Sequence, residues 1–333
     1  MPRADLAQLF EPGDLVVTND AATLPASLTG RHVPSSATIE ARLAGWMAIG
    51  DPTRFIAILL GEGDYRTRTE NRPPPPAVAT GDHLAFGPLT ATIERILDHP
   101  RLVALRFIGD RATILAGLAR HGRPIQYAHV GAPLALWDVW TCIAAAPVAF
   151  EPPSAGFALD WAMIAAWRRR GVGFVTLTHA AGVSSTGDLA LDRRLPFDEP
   201  YRIPARTAAA IATAKAGGAR IIAIGTTVVR ALEAATGLAG VTRAGDGVAS
   251  GRITRETQLS VTDAILTGVH QPGESHFELL RAFAADATLD RMFATFMAED
   301  FRWHEFGDSA LIERASPTLS GDRRPAIGAA TTR

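Results

Sequence analysis

Hydrophobic and polar positions follow one period in the first third of the chain and another beyond it. Asp14-Leu15-Val16-Val17-Thr18-Asn19 is a short apolar run between Gly13 and Asp20, which predicts a first, buried strand. Residues 37–43 alternate, 54–60 are apolar, 90–97 alternate again, and 102–108 read as one more strand. Period-two patterning broken by Gly, Pro and Asp predicts an antiparallel meander with enough strands to close a small barrel. The four prolines at 73–76 cannot sit inside a strand and predict a loop on this unit.

After residue 110 the pattern turns to helix–strand alternation. Asp110 is placed to N-cap a helix that Gly122 ends, and 159–170 has a helical apolar stripe. Residues 173–178 predict a strand, 205–216 a helix, 220–224 a buried strand and 227–235 another helix. Helix, glycine turn, apolar strand and helix in succession is an α/β arrangement. The expected fold is an α/β (mixed α+β) body with an antiparallel, β-barrel-like insertion. Residues 1–34 and 110–314 make a discontinuous main domain, 35–109 the barrel-like domain, and 315–333, rich in Ser, Thr, Pro, Gly and Arg, a disordered tail.

Composition narrows the function classes. The 333 residues are 47% hydrophobic and 20% charged, ordinary globular usage, and suit about two domains. A net charge of -1 excludes a strongly basic nucleic-acid clamp. The single Cys142 fits a reducing compartment, and no signal pattern or membrane-length apolar run is present, so a cytoplasmic location is expected. The histidines form no metal-ligand spacing, and no dinucleotide, phosphate-loop or hydrolase-elbow motif occurs.

Five segments can carry chemistry. Ile224-Gly225-Thr226-Thr227 runs from a strand into a helix, whose first N–H groups can hold an anion; Arg230 and Glu233 share the next helix face. The same spacing fits a capped helix with a surface ion pair. Pro153-Ser154-Ala155-Gly156 is small enough to let a ligand approach the backbone, and equally reads as a punctuated connection. Asn19-Asp20 ends the first strand, where α/β sites collect and where Asx turns also occur. His270 lies in a Gly-rich loop before a helix whose Ser275 and Glu278 fit a capping box; its side chain titrates near neutrality and suits acid–base work. The aromatics of 301–312, with Arg302 and His304, suit base stacking or docking on the core.

Taken in order, these segments resemble the queuosine-biosynthesis S-adenosylmethionine:tRNA ribosyltransferase-isomerases. The residues that carry the resemblance are GDLVVTNDAATLPASL from Gly13, PSAGFAL from Pro153, VTLT from Val175, AIGTTVVRALE from Ala223, TGVHQPGES from Thr267 and FRWHEFGDSALI from Phe301. They are collinear over about residues 10–312. Where the family pattern has histidines, this chain has Ala158, Thr178 (with His179 one position late) and Phe197, and Ser27 replaces an arginine.

The resemblance implies an α/β portion joined to a β-barrel. It implies S-adenosylmethionine as substrate and ribosyl donor, with no metal. The carbon beside the sulfonium loses a proton, and the ribosyl unit passes to the aminomethyl group of a 7-deazaguanine in tRNA. It rearranges to an epoxycyclopentanediol as adenine and methionine leave, giving epoxyqueuosine. The tRNA partner follows from the resemblance and not from the net charge. Catalytic candidates are then His270, Asp20, Glu199 and Asp308. Substrate-binding candidates are Asn19, Pro153, Ser154, Ala155, Gly156, Thr176, Gly225, Thr226, Thr227, Arg230 and Glu233. A paralogue using S-adenosylmethionine on a non-tRNA substrate, or a non-catalytic binding protein on the same scaffold, are the other readings.

Overall fold

The computed structural model describes residues 3–237, 240–303, 306–314 and 328–330. Strand β1 (Leu15–Asn19) is buried at every position, from the apolar Leu15-Val16-Val17 to the polar Thr18 and Asn19. A short β2 (Ala21–Thr23) leads into six strands: β3 (Ser27–His32), β4 (Thr38–Trp46), β5 (Arg54–Leu60), β6 (His83–Phe86), β7 (Leu89–Ile96) and β8 (Leu102–Phe107). They close a barrel in the order β3-β4-β5-β8-β7-β6, antiparallel at each junction. Period-two strands put alternate side chains inside, and Phe55, Phe86 and Phe107 meet there edge-on or tilted. The barrel takes in β3 and β6, two strands that the alternation does not announce; β3 lies N-terminal to residue 35.

The body follows. Helix α1 (Arg111–His121) starts where Asp110 accepts the Thr113 N–H at 2.8 Å. Then come β9 (Ala146–Ala149), α2 (Trp161–Arg169), β10 (Gly173–His179), α3 (Leu189–Asp192), β11 (Glu199–Ile203), α4 (Ala205–Ala216), β12 (Ile221–Ile224) and α5 (Thr226–Ala235). The order continues with β13 (Gly245–Ala249), β14 (Ala264–Gly268), α6 (Ser275–Leu280), α7 (Asp286–Ala298), β15 (Ser309–Glu313) and β16 (Gly328–Ala330). The main sheet runs β13-β11-β10-β1-β12-β14-β15-β16, parallel from β10 through β14 and antiparallel at its flanks. Apart from β16, the tail expected at 315–333 lies outside the described residues.

This order positions a crevice. The chain leaves β10 on one side of β1 and re-enters on the other side as β12. Connections that diverge at such a reversal leave a gap at the carboxyl ends of the strands. Here the barrel, inserted directly after β1 and β2, stands beside that gap.

Two local expectations give way to other contacts. Ser275 and Glu278 do not form a capping box: Glu274 is the N-cap residue of α6, without a side-chain bond to the helix, and Glu278 binds Arg281 at 2.8 Å instead. The 301–312 aromatics dock on the body. Phe301 lies 4.9 Å from Phe296, Trp303 5.2 Å from Phe293, and Phe306 stacks 5.3 Å from Phe157. His304 lies outside the described residues. Among the described residues no helix is long and apolar enough to cross a membrane, and no group of three or more His, Cys, Asp or Glu could hold a metal ion.

Candidate active site

The crevice is a cleft of about 520 Å³, a volume that suits a nucleoside-sized ligand. Gly225, Thr226 and Thr227 form one part of its wall. Gly225 has φ +92°, a left-handed conformation that frees the chain to turn from β12 into α5, and a Cβ there would lie 3.2 Å from that of Ala155. The α5 N-terminus and the Pro153–Ala155 turn therefore meet closely. Thr267, near the end of β14, and His270 just after it enter the same cleft, with His270 Nε2 2.9 Å from the Thr267 hydroxyl and its ring 4.8 Å from that of His276.

Of the fifteen residues singled out from sequence, nine line this cleft: Pro153, Ser154, Ala155, Glu199, Gly225, Thr226, Thr227, Arg230 and His270. The other six do not, and each has a structural task. Asn19 is buried; its amide donates to the His179 carbonyl (2.9 Å) and its oxygen accepts the His179 and Ala21 N–H groups, stitching β1 to β10. Asp20 accepts the Thr178 hydroxyl at 2.6 Å. Gly156 is small for packing, since a Cβ would come within 2.8 Å of Thr141. The Thr176 carbonyl accepts the Thr207 hydroxyl at 2.6 Å. Asp308 accepts the Arg302 N–H at 2.8 Å. Glu233 does not pair with Arg230; it takes the N–H groups of Ser260, Val261 and Thr262.

Arg230 turns inward instead. Its Nε donates to Glu199 Oε2 at 3.0 Å, and its terminal nitrogens donate to the carbonyls of Gly251, Ala249 and Phe197. Four of its five N–H groups are thus spent on the protein. Glu199 also accepts the Gly182 N–H at 2.6 Å. The buried pair fixes β11, α5 and the turn after β10 around the cleft floor.

His179 lies under this pair, fully buried, with Nε2 3.5 Å from Glu199 Oε2. Strand alternation sends Thr178 toward Asp20 and His179 toward Glu199. Among the described residues neither ring nitrogen has a hydrogen-bond partner. Burial lowers its pKa to about 4, with Glu199 opposing and Arg230 assisting the drop. The ring is therefore neutral in the folded protein at pH 5–7, whereas in the unfolded chain it titrates near 6.5. The unfolded state binds the extra proton between those values, so stability falls as pH drops from about 6.5 to about 4, by about 3 kcal/mol in all. Urea unfolding at pH 7 and pH 4.5 measures this. His179→Gln should flatten that part of the profile; a variant with the wild-type slope would remove His179 as its source.

Sequence reasoning misses the opposite wall. Tyr127 donates to the Glu151 carboxylate, and Glu151 also accepts the Ser184 N–H at 3.0 Å. Burial, and then the charge of Glu151, push the Tyr127 hydroxyl well above its usual range, so it stays a donor. The Arg42 guanidinium, from β4 of the barrel, lies over the Tyr127 ring at 5.4 Å. Counting the whole lining, five carboxylates (Glu70, Glu151, Asp192, Glu199, Glu274) face three guanidiniums (Arg68, Arg230, Arg252). With histidines neutral, two formal negative charges are in excess, which favours a cationic ligand.

Comparison with known proteins follows the same lines. The family described as queuosine biosynthesis protein matches residues 3–312. The S-adenosylmethionine:tRNA ribosyltransferase-isomerase of Acidiphilium cryptum is 30% identical over 320 residues, covering 93% of this chain and 88% of that protein. Its counterpart in Rhodospirillum rubrum is 30% identical over 330 residues (93% and 87%), and that of Deinococcus radiodurans 30% over 319 residues (93% and 84%). The crystal structure of S-adenosylmethionine tRNA ribosyltransferase from Thermotoga maritima aligns at a TM-score of 0.45 and 21% identity, covering 92% of this chain and 85% of that one.

Proposed function

The chain belongs to the queuosine biosynthesis protein family, and from that membership we propose that it is an S-adenosylmethionine:tRNA ribosyltransferase-isomerase. It transfers the ribosyl unit of S-adenosylmethionine to the aminomethyl group of a 7-deazaguanine in tRNA and isomerises it, releasing adenine and methionine. Relatives of that name, 30% identical over nearly the whole chain, support the reading.

The observation that carries it is the chemistry of the cleft. S-adenosylmethionine presents a sulfonium cation and a carboxylate together. An acidic cleft favours the first, and the N–H groups that open α5, at Thr226 and Thr227, suit the second. The helix is ten residues long, enough for its dipole to act with those groups. Small side chains at Pro153–Ala155 leave room for the adenosine. His270 is the histidine of the family pattern that this chain keeps, and the Thr267 hydroxyl holds one edge of its ring at Nε2. It serves as acid or base near the sulfonium. Arg230, spent on Glu199 and three carbonyls, acts as a strut and not as the carboxylate clamp.

Nucleoside analysis by mass spectrometry tests the reading. Precursor tRNA treated with the protein and S-adenosylmethionine should yield epoxyqueuosine. Recovery of only the 7-aminomethyl-7-deazaguanine nucleoside would refute it.

A further inference from the structure

The cleft has a sheet wall, with Gly225–Thr227 and His270, and a barrel wall, with Tyr127, His129, Glu151 and the barrel loop at Arg68–Glu70. The barrel wall has features that the donor does not call for. The His129 ring stacks on Tyr127, centroids 6.2 Å apart and planes within 10°. His129 is exposed toward the cleft, whereas Tyr127 is half-buried and carries the Arg42 cation over its ring.

This stack has a rigid foundation. Arg42 donates to the buried Glu40 at 2.8 Å and to Thr69 at 3.3 Å. Glu40 also binds Arg72, which holds the Gly61 carbonyl at 2.7 Å. Burial alone would raise the Glu40 pKa, but the two guanidiniums outweigh it and keep the carboxyl below its usual range, hence ionised. A charged triad buried between the outer face of β4 and the loop that follows β5 is costly unless well bonded. Here it fixes both the Tyr127 ring and the loop that brings Arg68 to the rim, where its side chain is 74% exposed.

We infer that this barrel wall is the subsite for the acceptor base, which stacks on His129 while Glu151 receives its aminomethyl group. The inference rests on the ribosyltransferase reading. Unpaired bases are bound by stacking on aromatic and histidine rings. An aminomethyl group is a cation in water, and Glu151 is a carboxylate held in the wall by Tyr127 and Ser184. The two walls then keep donor and acceptor apart: the sulfonium end faces the sheet and the base faces the barrel. Entry from the barrel side also lets a macromolecule present one base without burying its backbone, with the exposed Arg68 beside it for a phosphate.

Two variants test this with precursor tRNA and S-adenosylmethionine. His129→Ala should raise the KM for precursor tRNA about 5- to 150-fold, the loss expected on truncating a base-stacking ring. Affinity for S-adenosylmethionine, measured by calorimetry, should not change, and His129→Trp should restore the KM. Glu151→Gln should erase the preference for tRNA carrying the aminomethyl base over tRNA carrying guanine, read as the ratio of dissociation constants. An unchanged tRNA KM in His129→Ala, a retained preference in Glu151→Gln, or weakened donor binding in His129→Ala would overturn the assignment. Absence of adenine release by the wild type would instead defeat the ribosyltransferase reading. The tRNA affinities need no turnover and would still decide where the base binds.

Discussion

Arg230→Ala is expected to cost about 3–5 kcal/mol of folding stability, because it leaves the buried Glu199 carboxylate without its cation. It also strips donors from the carbonyls of Ala249, Gly251 and Phe197. Against a total stability of about 5–15 kcal/mol for a typical domain, that is a large share. The loss should appear as a lower urea midpoint before any change in ligand affinity is read. Arg230→Ala together with Glu199→Leu should be milder than Arg230→Ala alone, since no charge is then buried unpaired. A single variant as stable as wild type, with only donor affinity reduced, would make Arg230 a ligand of the donor instead of a strut.

His270→Ala should leave the fold and donor affinity nearly intact and reduce adenine release by about 10²–10⁴-fold, the usual contribution of a positioned acid or base. The geometry behind this is a ring in the cleft wall with Nε2 on the Thr267 hydroxyl. Glu274 places a carboxylate oxygen 3.8 Å from His270 Nδ1. Turnover and melting temperature measured on the same variant separate the outcomes. Full turnover would remove His270 from the chemistry, and a large drop in melting temperature with turnover retained would make it a loop strut.

The strands that show in the sequence are those whose burial is regular. In β4, β5, β7 and β8 side chains alternate or are apolar throughout, which is enough to expect a small barrel but not its six strands. β3 reads Ser-Leu-Thr-Gly-Arg-His and β6 has four residues, so neither has a period to detect; each is a strand because its neighbours pair with it. Likewise Gly225-Thr226-Thr227 is legible because strand, turn and helix are contiguous. Arg230 is not, since its partner is 31 residues away on β11 and not one turn along its own helix. Glu151 and Tyr127 meet across 24 residues, under a barrel side chain, which no local spacing encodes. His179 was one position from the family pattern, and strand alternation decides that it, and not Thr178, faces Glu199.

The most direct test of the whole account is the fate of S-adenosylmethionine labelled in its adenine and in its methionine, incubated with the protein and precursor tRNA. Ribosyl transfer with isomerisation predicts free adenine and free methionine in equal amounts, each matching the modified tRNA formed. Adenine retained in S-adenosylhomocysteine, as methyl transfer would leave it, or no release of either label, would contradict it.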